Sequence, residues 1–130
     1  MDRYQSLEKR RDEVLALLHP DGSQPLGGSG GSAGSELAPE VSDLLLTVIQ
    51  GGVYGRPQLD IKTRAICTVA ALVATNGGRY LKNWIHNALN VGWAKDEIVE
   101  VISQLTFYSG VPYSVNAYGL AKEAFDERES

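Results

Sequence analysis

The sequence predicts an all-α chain, a six-helix bundle, on three observations. Apolar residues recur at three- and four-residue spacings through six segments, glycine-bearing turns separate most of those segments, and the period-2 alternation of strands is absent throughout. With 130 residues, 43% hydrophobic and 22% charged, the chain is long enough to bury a core without disulfide or metal staples. A single domain over residues 1–130 is the expectation.

The first helix is expected from Asp2 to about Leu18, with Tyr4, Leu7, Val14, Leu15 and Leu18 at helical spacings and Asp2 and Gln5 set three apart as a capping box. His19-Pro20-Asp21-Gly22 ends it, because proline disfavours helix in the residue before it and Asp-Gly supplies a turn. Residues 22–35, GSQPLGGSGGSAGS, hold almost nothing to bury and are expected to form a flexible loop; artificial linkers and natural glycine-rich loops share this composition. From Glu36, Leu37, Val41, Leu44, Leu45 and Val48 make one stripe expected to face the core, with Gly51-Gly52 as the stop. An irregular connection, Val53 to Pro57, leads to Asp60 as the cap of the third helix.

Ile61 to about Thr75 is apolar nearly all round and reads as a central helix enclosed by its neighbours. Asn76-Gly77-Gly78 ends it. Arg79 to Val91 then carries Leu81, Trp84, Ala88 and Val91 on one face, and Gly92 closes that helix. The fifth starts at Ala94-Lys95-Asp96-Glu97, acids in the first turn, with Ile98, Val101, Ile102 and Leu105 inward. The sixth begins at Val111-Pro112, where proline's missing N–H costs nothing, and is expected to turn Val115, Tyr118, Ala121 and Phe125 inward until the charged tail.

Composition excludes several functions. Twelve basic against 16 acidic residues give a net charge of −4, which argues against nucleic acid as a partner. The cluster Lys9-Arg10-Arg11 is followed at once by Asp12 and Glu13 and reads as a solvated face. A single cysteine, Cys67, rules out an internal disulfide and a thiolate metal cluster and suits a reducing cytoplasm. No apolar run approaches the roughly 20 residues of a membrane span, so no membrane partner is expected.

Four stretches carry a resemblance. Tyr54 to Arg64 (YGRPQLDIKTR), Ala88-Leu89-Asn90-Val91-Gly92, Asp96-Glu97-Ile98 with Glu100, and Tyr108 to Pro112 (YSGVP) are similar, in order and spacing, to the carboxymuconolactone decarboxylase family of the alkylhydroperoxidase D-like group. Glu13-Val14-Leu15 and His19-Pro20-Asp21 extend the likeness into the first helix. The resemblance implies an all-helical subunit assembling into homotrimers or homohexamers, with pockets near subunit contacts, no metal and no organic cofactor. The implied reaction removes carbon dioxide from a carboxylated muconolactone. It requires a carboxylate in a dry site, a cation facing the oxygen that gathers charge, and a proton donor for the carbanion-like carbon.

On that resemblance the family's arginine falls on Arg64, as anchor for the substrate carboxylate or developing enolate; a structural ion pair with Asp60 is the alternative. The histidine position is Trp84, the glutamate position is Gly52, and Tyr54 replaces a tryptophan. Tyr54, Tyr108 and Tyr113 are therefore candidate proton donors, Cys67 lies one turn beyond Arg64, and Trp84 is either core filler or a stacking wall for a flat substrate. His86 falls about 200° round the helix from Trp84, alongside Lys82, Asn83 and Asn90, and belongs to a polar stripe that only a subunit contact would bring to a pocket. Gly77 and Tyr80 occupy the positions of the sister branch's Cys-x-x-Cys, which excludes dithiol peroxidase chemistry. Three functions stay open: a cofactor-independent lyase or isomerase with Arg64, Tyr54 and Tyr108 as catalytic residues, a family member repurposed for cyclisation or rearrangement in a biosynthetic pathway, and a non-catalytic oligomeric binder.

Overall fold

A computed structural model describes residues 1–22 and 36–129. Apart from Gly22, the flexible loop expected at 22–35 lies outside the described residues. Among them the chain is all-helical with no strand: α1 Arg3–Leu18, α2 Pro39–Leu46, α3 Ile61–Ala74, α4 Arg79–Asn90, α5 Lys95–Ser109 and α6 Val111–Glu129. α2 runs on into a π-helical segment, Thr47–Tyr54. Packing divides the chain into two compact units, Met1–Arg64 and Ala65–Ser130.

In the first unit α1 opens on the expected capping box. Gln5 N donates to Asp2 Oδ1 at 2.8 Å and Asp2 N to Gln5 Oε1 at 2.9 Å, so two otherwise orphaned N–H groups satisfy each other's residues. α1 packs mainly on the π segment, and Gly51 is the reason the two backbones can touch. A Cβ built at Gly51 would lie 2.2 Å from the backbone oxygen of Leu7, a distance no side chain tolerates. Gly51-Gly52 therefore does not stop the helix as expected; tertiary contact outweighs glycine's weak helix propensity and the coil continues, widened, to Tyr54.

The apolar stripe expected to face the core from α2 also goes the other way. Leu37, Val41, Leu44, Leu45 and Val48 are exposed, while Ser42, Thr47 and Gln50 are buried. Thr47 on that buried side meets a cation on α1: Arg11 Nη1 donates to Asp43 Oδ1 at 3.1 Å and to Thr47 Oγ1 at 2.9 Å, and Thr47 Oγ1 donates to the Asp43 carbonyl at 2.9 Å. Arg11 also bridges Asp12 at 3.0 Å, with only 15% of its side chain exposed. Burial works against this charge, yet the hydrogen bond to Asp12 and the fields of Asp12, Asp43 and Glu8 hold its pKa above the ordinary arginine value.

Within the second unit the part of α3 from Ala65 is less enclosed than its composition suggests, burying Ala65, Val69 and Val73 and exposing Cys67 and Ala71. Small alanines cover little surface, so an apolar helix of this kind can still have a solvent side. α3 ends in a Schellman motif, with Asn76 at φ 56° and Gly77 N donating to Leu72 O at 2.8 Å. α4 buries Leu81, Trp84, Ile85, Asn87 and Ala88 and ends the same way, Gly92 at φ 109° letting Trp93 N reach Ala88 O at 3.0 Å.

α5 follows its expected stripe, with Ile98 and Ile102 buried and Val101 and Leu105 half-buried, and Ala94 N donates to Glu97 Oε1 at 2.9 Å at its start. The last helix buries Ala121 and half-buries Phe125 as expected but differs in its first half. Val115 and Tyr118 are exposed, and the inward seam is Ser114, Ala117, Ala121 and Ala124. Small residues let α6 lie close to α5, where hydroxyls meet: Ser103 Oγ and Tyr118 OH at 2.7 Å, and Thr106 Oγ1 donating to Ser114 Oγ at 2.9 Å. The charged tail stays helical to Glu129.

Candidate functional site

Of the residues singled out in the sequence, Tyr54 and Arg64 belong to the first unit and flank one short connection. Tyr54 ends the π segment and is half-buried. Asp60 caps α3, accepting from Thr63 N at 2.7 Å, and the hydrogen bonds from the Thr63 side chain and then its backbone hold the Asp60 carboxyl below the usual carboxylate range. The Arg64 side chain folds back over the connection: Nε donates to Leu59 O at 3.0 Å and Nη2 to Arg56 O at 3.5 Å. The guanidinium is half-buried, and these two carbonyls orient its plane.

The other candidates belong to the second unit. Trp84 is 7% exposed, in the core stripe of α4. Cys67 is an exposed free thiol on α3. Tyr108, 83% exposed at the end of α5, and the exposed Tyr113 near the start of α6 bracket the turn at Gly110.

His86 sits where the polar-stripe reading puts it, among ions between α4 and α6. Arg128 Nη1 lies 3.2 Å from His86 Nδ1 and can only donate, so Nδ1 accepts and Nε2–H is left to donate to Glu127 Oε2 at 2.8 Å. Lys82 Nζ reaches the other Glu127 oxygen at 2.7 Å and Glu123 at 3.6 Å, and Arg128 Nη2 donates to Asn90 Oδ1 at 2.9 Å. Hydrogen bonds from Lys82 and then His86 hold the Glu127 carboxyl below its ordinary value, and the Lys82 ammonium is held above its own by Glu127. This is a structural ion cluster within one unit. Among the described residues no group of His, Cys, Asp and Glu is arranged to hold a metal ion, and no helix is long and apolar enough to cross a membrane.

Sequence reasoning missed two features. Gln50 is buried with its amide oxygen unpartnered among the described residues, a polar group placed where a helical pattern gives no warning. The second is a cleft of about 480 Å³ lined by Arg3, Leu7, Arg10, Val48, Gly52, Val53 and Arg56. Its signal was present: Arg3, Leu7 and Arg10 stand at i, i+4 and i+7, one stripe of α1. Within the Lys9-Arg10-Arg11 cluster, Lys9 and Arg10 are exposed as expected, Arg10 at the edge of this cleft, and Arg11 departs by entering the α1–α2 network.

Comparison with known proteins agrees with the motifs. Residues 39–123, well over half of the chain, match the model of the carboxymuconolactone decarboxylase family. A 4-carboxymuconolactone decarboxylase of Acinetobacter baylyi is 35% identical over 77 residues, 59% of this chain and 58% of that protein. A 15.0 kDa protein encoded in the nqo9-nqo10 intergenic region of Paracoccus denitrificans, itself uncharacterised, is 28% identical over 96 residues, 72% of each chain. The similarity to the decarboxylase thus spans less than two thirds of its length.

Proposed function

Because the chain belongs to the carboxymuconolactone decarboxylase family, we propose that it is a cofactor-independent lyase or isomerase acting on a carboxylated, lactone-like or aromatic metabolite. The observation that carries this reading is Arg64, half-buried and pinned by the carbonyls of Leu59 and Arg56. A guanidinium so preorganised binds a carboxylate or developing enolate with little reorganisation. In the reaction as proposed, the bond from ring carbon to carboxylate breaks, its electron pair delocalises onto the conjugated carbonyl oxygen facing Arg64, and carbon dioxide leaves. A tyrosine hydroxyl then returns a proton to carbon. Tyr54 is the first choice, at the other end of the same connection; Tyr108 is the second. Trp84, Tyr113, Cys67 and His86 are proposed as substrate-binding residues. Tyr108 and His86 take part only if a neighbouring subunit completes their surroundings.

The proposed working form is a homotrimer or homohexamer of single-domain subunits in the cytoplasm, and the exposed stripe Val41, Leu44, Leu45 and Val48 on α2 and the π segment supports self-association, since patches of this kind mark contact surfaces. A second reading has a specific observation behind it: Gly52 and Trp84 stand at the positions of the family's glutamate and histidine, which favours a repurposed member that steers cyclisation or rearrangement by shape. Incubation with 4-carboxymuconolactone, following carbon dioxide release, separates the two. Turnover that falls about 100-fold or more in Arg64→Ala, with assembly unchanged by light scattering, supports the lyase. No release by the wild-type protein removes decarboxylation of that lactone and leaves the second reading.

A further inference from the structure

We infer that the cleft between α1 and the π segment is a binding site for a small organic polycarboxylate. Three solvent-exposed arginines line it, Arg3 and Arg10 from one stripe of α1 and Arg56 from just past the π segment, and no acidic residue does. None of the three side chains has a hydrogen bond or ion pair among the described residues, whereas Arg11, adjacent in sequence, holds both Asp12 and Asp43. In a chain with 16 acidic residues and a net charge of −4, leaving three neighbouring cations unpaired around one concavity sustains a mutual repulsion that a bound anion relieves.

The cleft is built rather than incidental. Gly51 brings the π segment against α1, and the stem of Arg10 lies against Gly55, where an added Cβ would meet Arg10 Cβ at 3.1 Å. Its volume, about 480 Å³, is in the range of small-molecule sites. Leu7, Val48 and Val53 supply apolar wall for a carbon skeleton. Arg3 and Arg10 are two helical turns apart, about 10 Å along the axis, which suits carboxylates spaced along a chain better than charge gathered on one phosphorus atom. Each guanidinium can take a carboxylate in a two-point grip.

Isothermal calorimetry of the whole chain with propane-1,2,3-tricarboxylate tests this without reference to turnover, so inactivity toward a lactone bears on it neither way. Saturable binding is expected, weakened about tenfold or more by Arg10→Gln and lost in the Arg3→Gln/Arg10→Gln/Arg56→Gln variant, which circular dichroism should show folded. The trimethyl ester should give no heat and inorganic phosphate should bind more weakly. No binding of the tricarboxylate, equal affinity for the ester or for phosphate, or undiminished affinity in the folded triple variant would each overturn the assignment.

Discussion

In the first unit α2 and the π segment turn leucines and valines outward and bury Ser42, Thr47 and Gln50, whereas the second unit buries a conventional apolar core around Ile85, Ile98 and Ile102 and keeps its ions at the edge. The difference lies in what each helix faces. α2 and the π segment meet a guanidinium, Arg11, and must answer it with oxygen. The buried faces of α4 and α5 are mostly carbon, and their charged contacts with the last helix lie at the rim. Helical periodicity reports that a face is apolar, but it cannot say whether the same chain covers that face.

The largest test of this contrast is to remove equal side chains from the two regions. Ile102→Ala should cost about 2–5 kcal/mol in urea unfolding, while Leu44→Ala, on the exposed face, should change folding stability by about 0.5 kcal/mol or less and instead weaken any self-association seen by light scattering. Equal losses would mean that α2 is covered within the chain. Next in size are two glycines. Gly51→Ala drives a methyl into the Leu7 carbonyl and should cost about 1–3 kcal/mol or more. Gly119→Ala, on α6 with nothing within 4 Å of its new methyl, should raise stability by about 0.5–1 kcal/mol.

The two units should also respond to acid in different windows. Burial pushes the His19 imidazole below its usual 6.5, with Asp21 opposing in part. Its folded pKa is depressed, so the unfolded chain binds the proton first, and stability is full above about 6.5 and falls as pH drops through the folded value. Glu127 is also depressed, from 4.5, by Lys82 and His86; its contribution is present above about 4.5 and lost only as pH falls further. Amide exchange resolved by helix should therefore show α1 loosening between pH 7 and 5 while α4 and α6 hold. His19→Gln should flatten the first limb and Glu127→Gln the second. Simultaneous loss in both units would show that they open together. The smallest effect expected is for Gln50→Met, which removes the unpartnered amide oxygen and should stabilise by a few tenths of a kcal/mol to about 1 kcal/mol.

Much of the second unit was legible because its signals are local. Gly92 as a terminator, Glu97 reaching back to Ala94, the stripe Ile98–Ile102 and the polar placement of His86 each depend on residues a few positions apart. The register at the start of α6 was not legible, since Val115 and Ala117 fit equally regular spacings and the Thr106 hydroxyl across the interface favours Ser114 as the inner side. The π segment escaped for a similar reason: Gly51-Gly52 signals a stop until the Leu7 carbonyl, 44 positions away, takes up the space. Of the candidate site, Arg64 and Tyr54 were named from sequence, but the part played by Arg56, as a carbonyl beneath Arg64 and a cation in the neighbouring cleft, depends on the path of the connection.

The alanine seam of α6 has a consequence for how the molecule breathes. Alanine surrenders no rotamer freedom on being buried, so docking that helix is entropically cheap, but it also removes little hydrocarbon from water. Detachment is correspondingly easy, opposed mostly by hydroxyl contacts and by exposed ion pairs that each contribute little. The C-terminal helix should peel away as a cooperative piece before the isoleucine layer beneath it melts, leaving a subglobal intermediate that still contains α4 and α5.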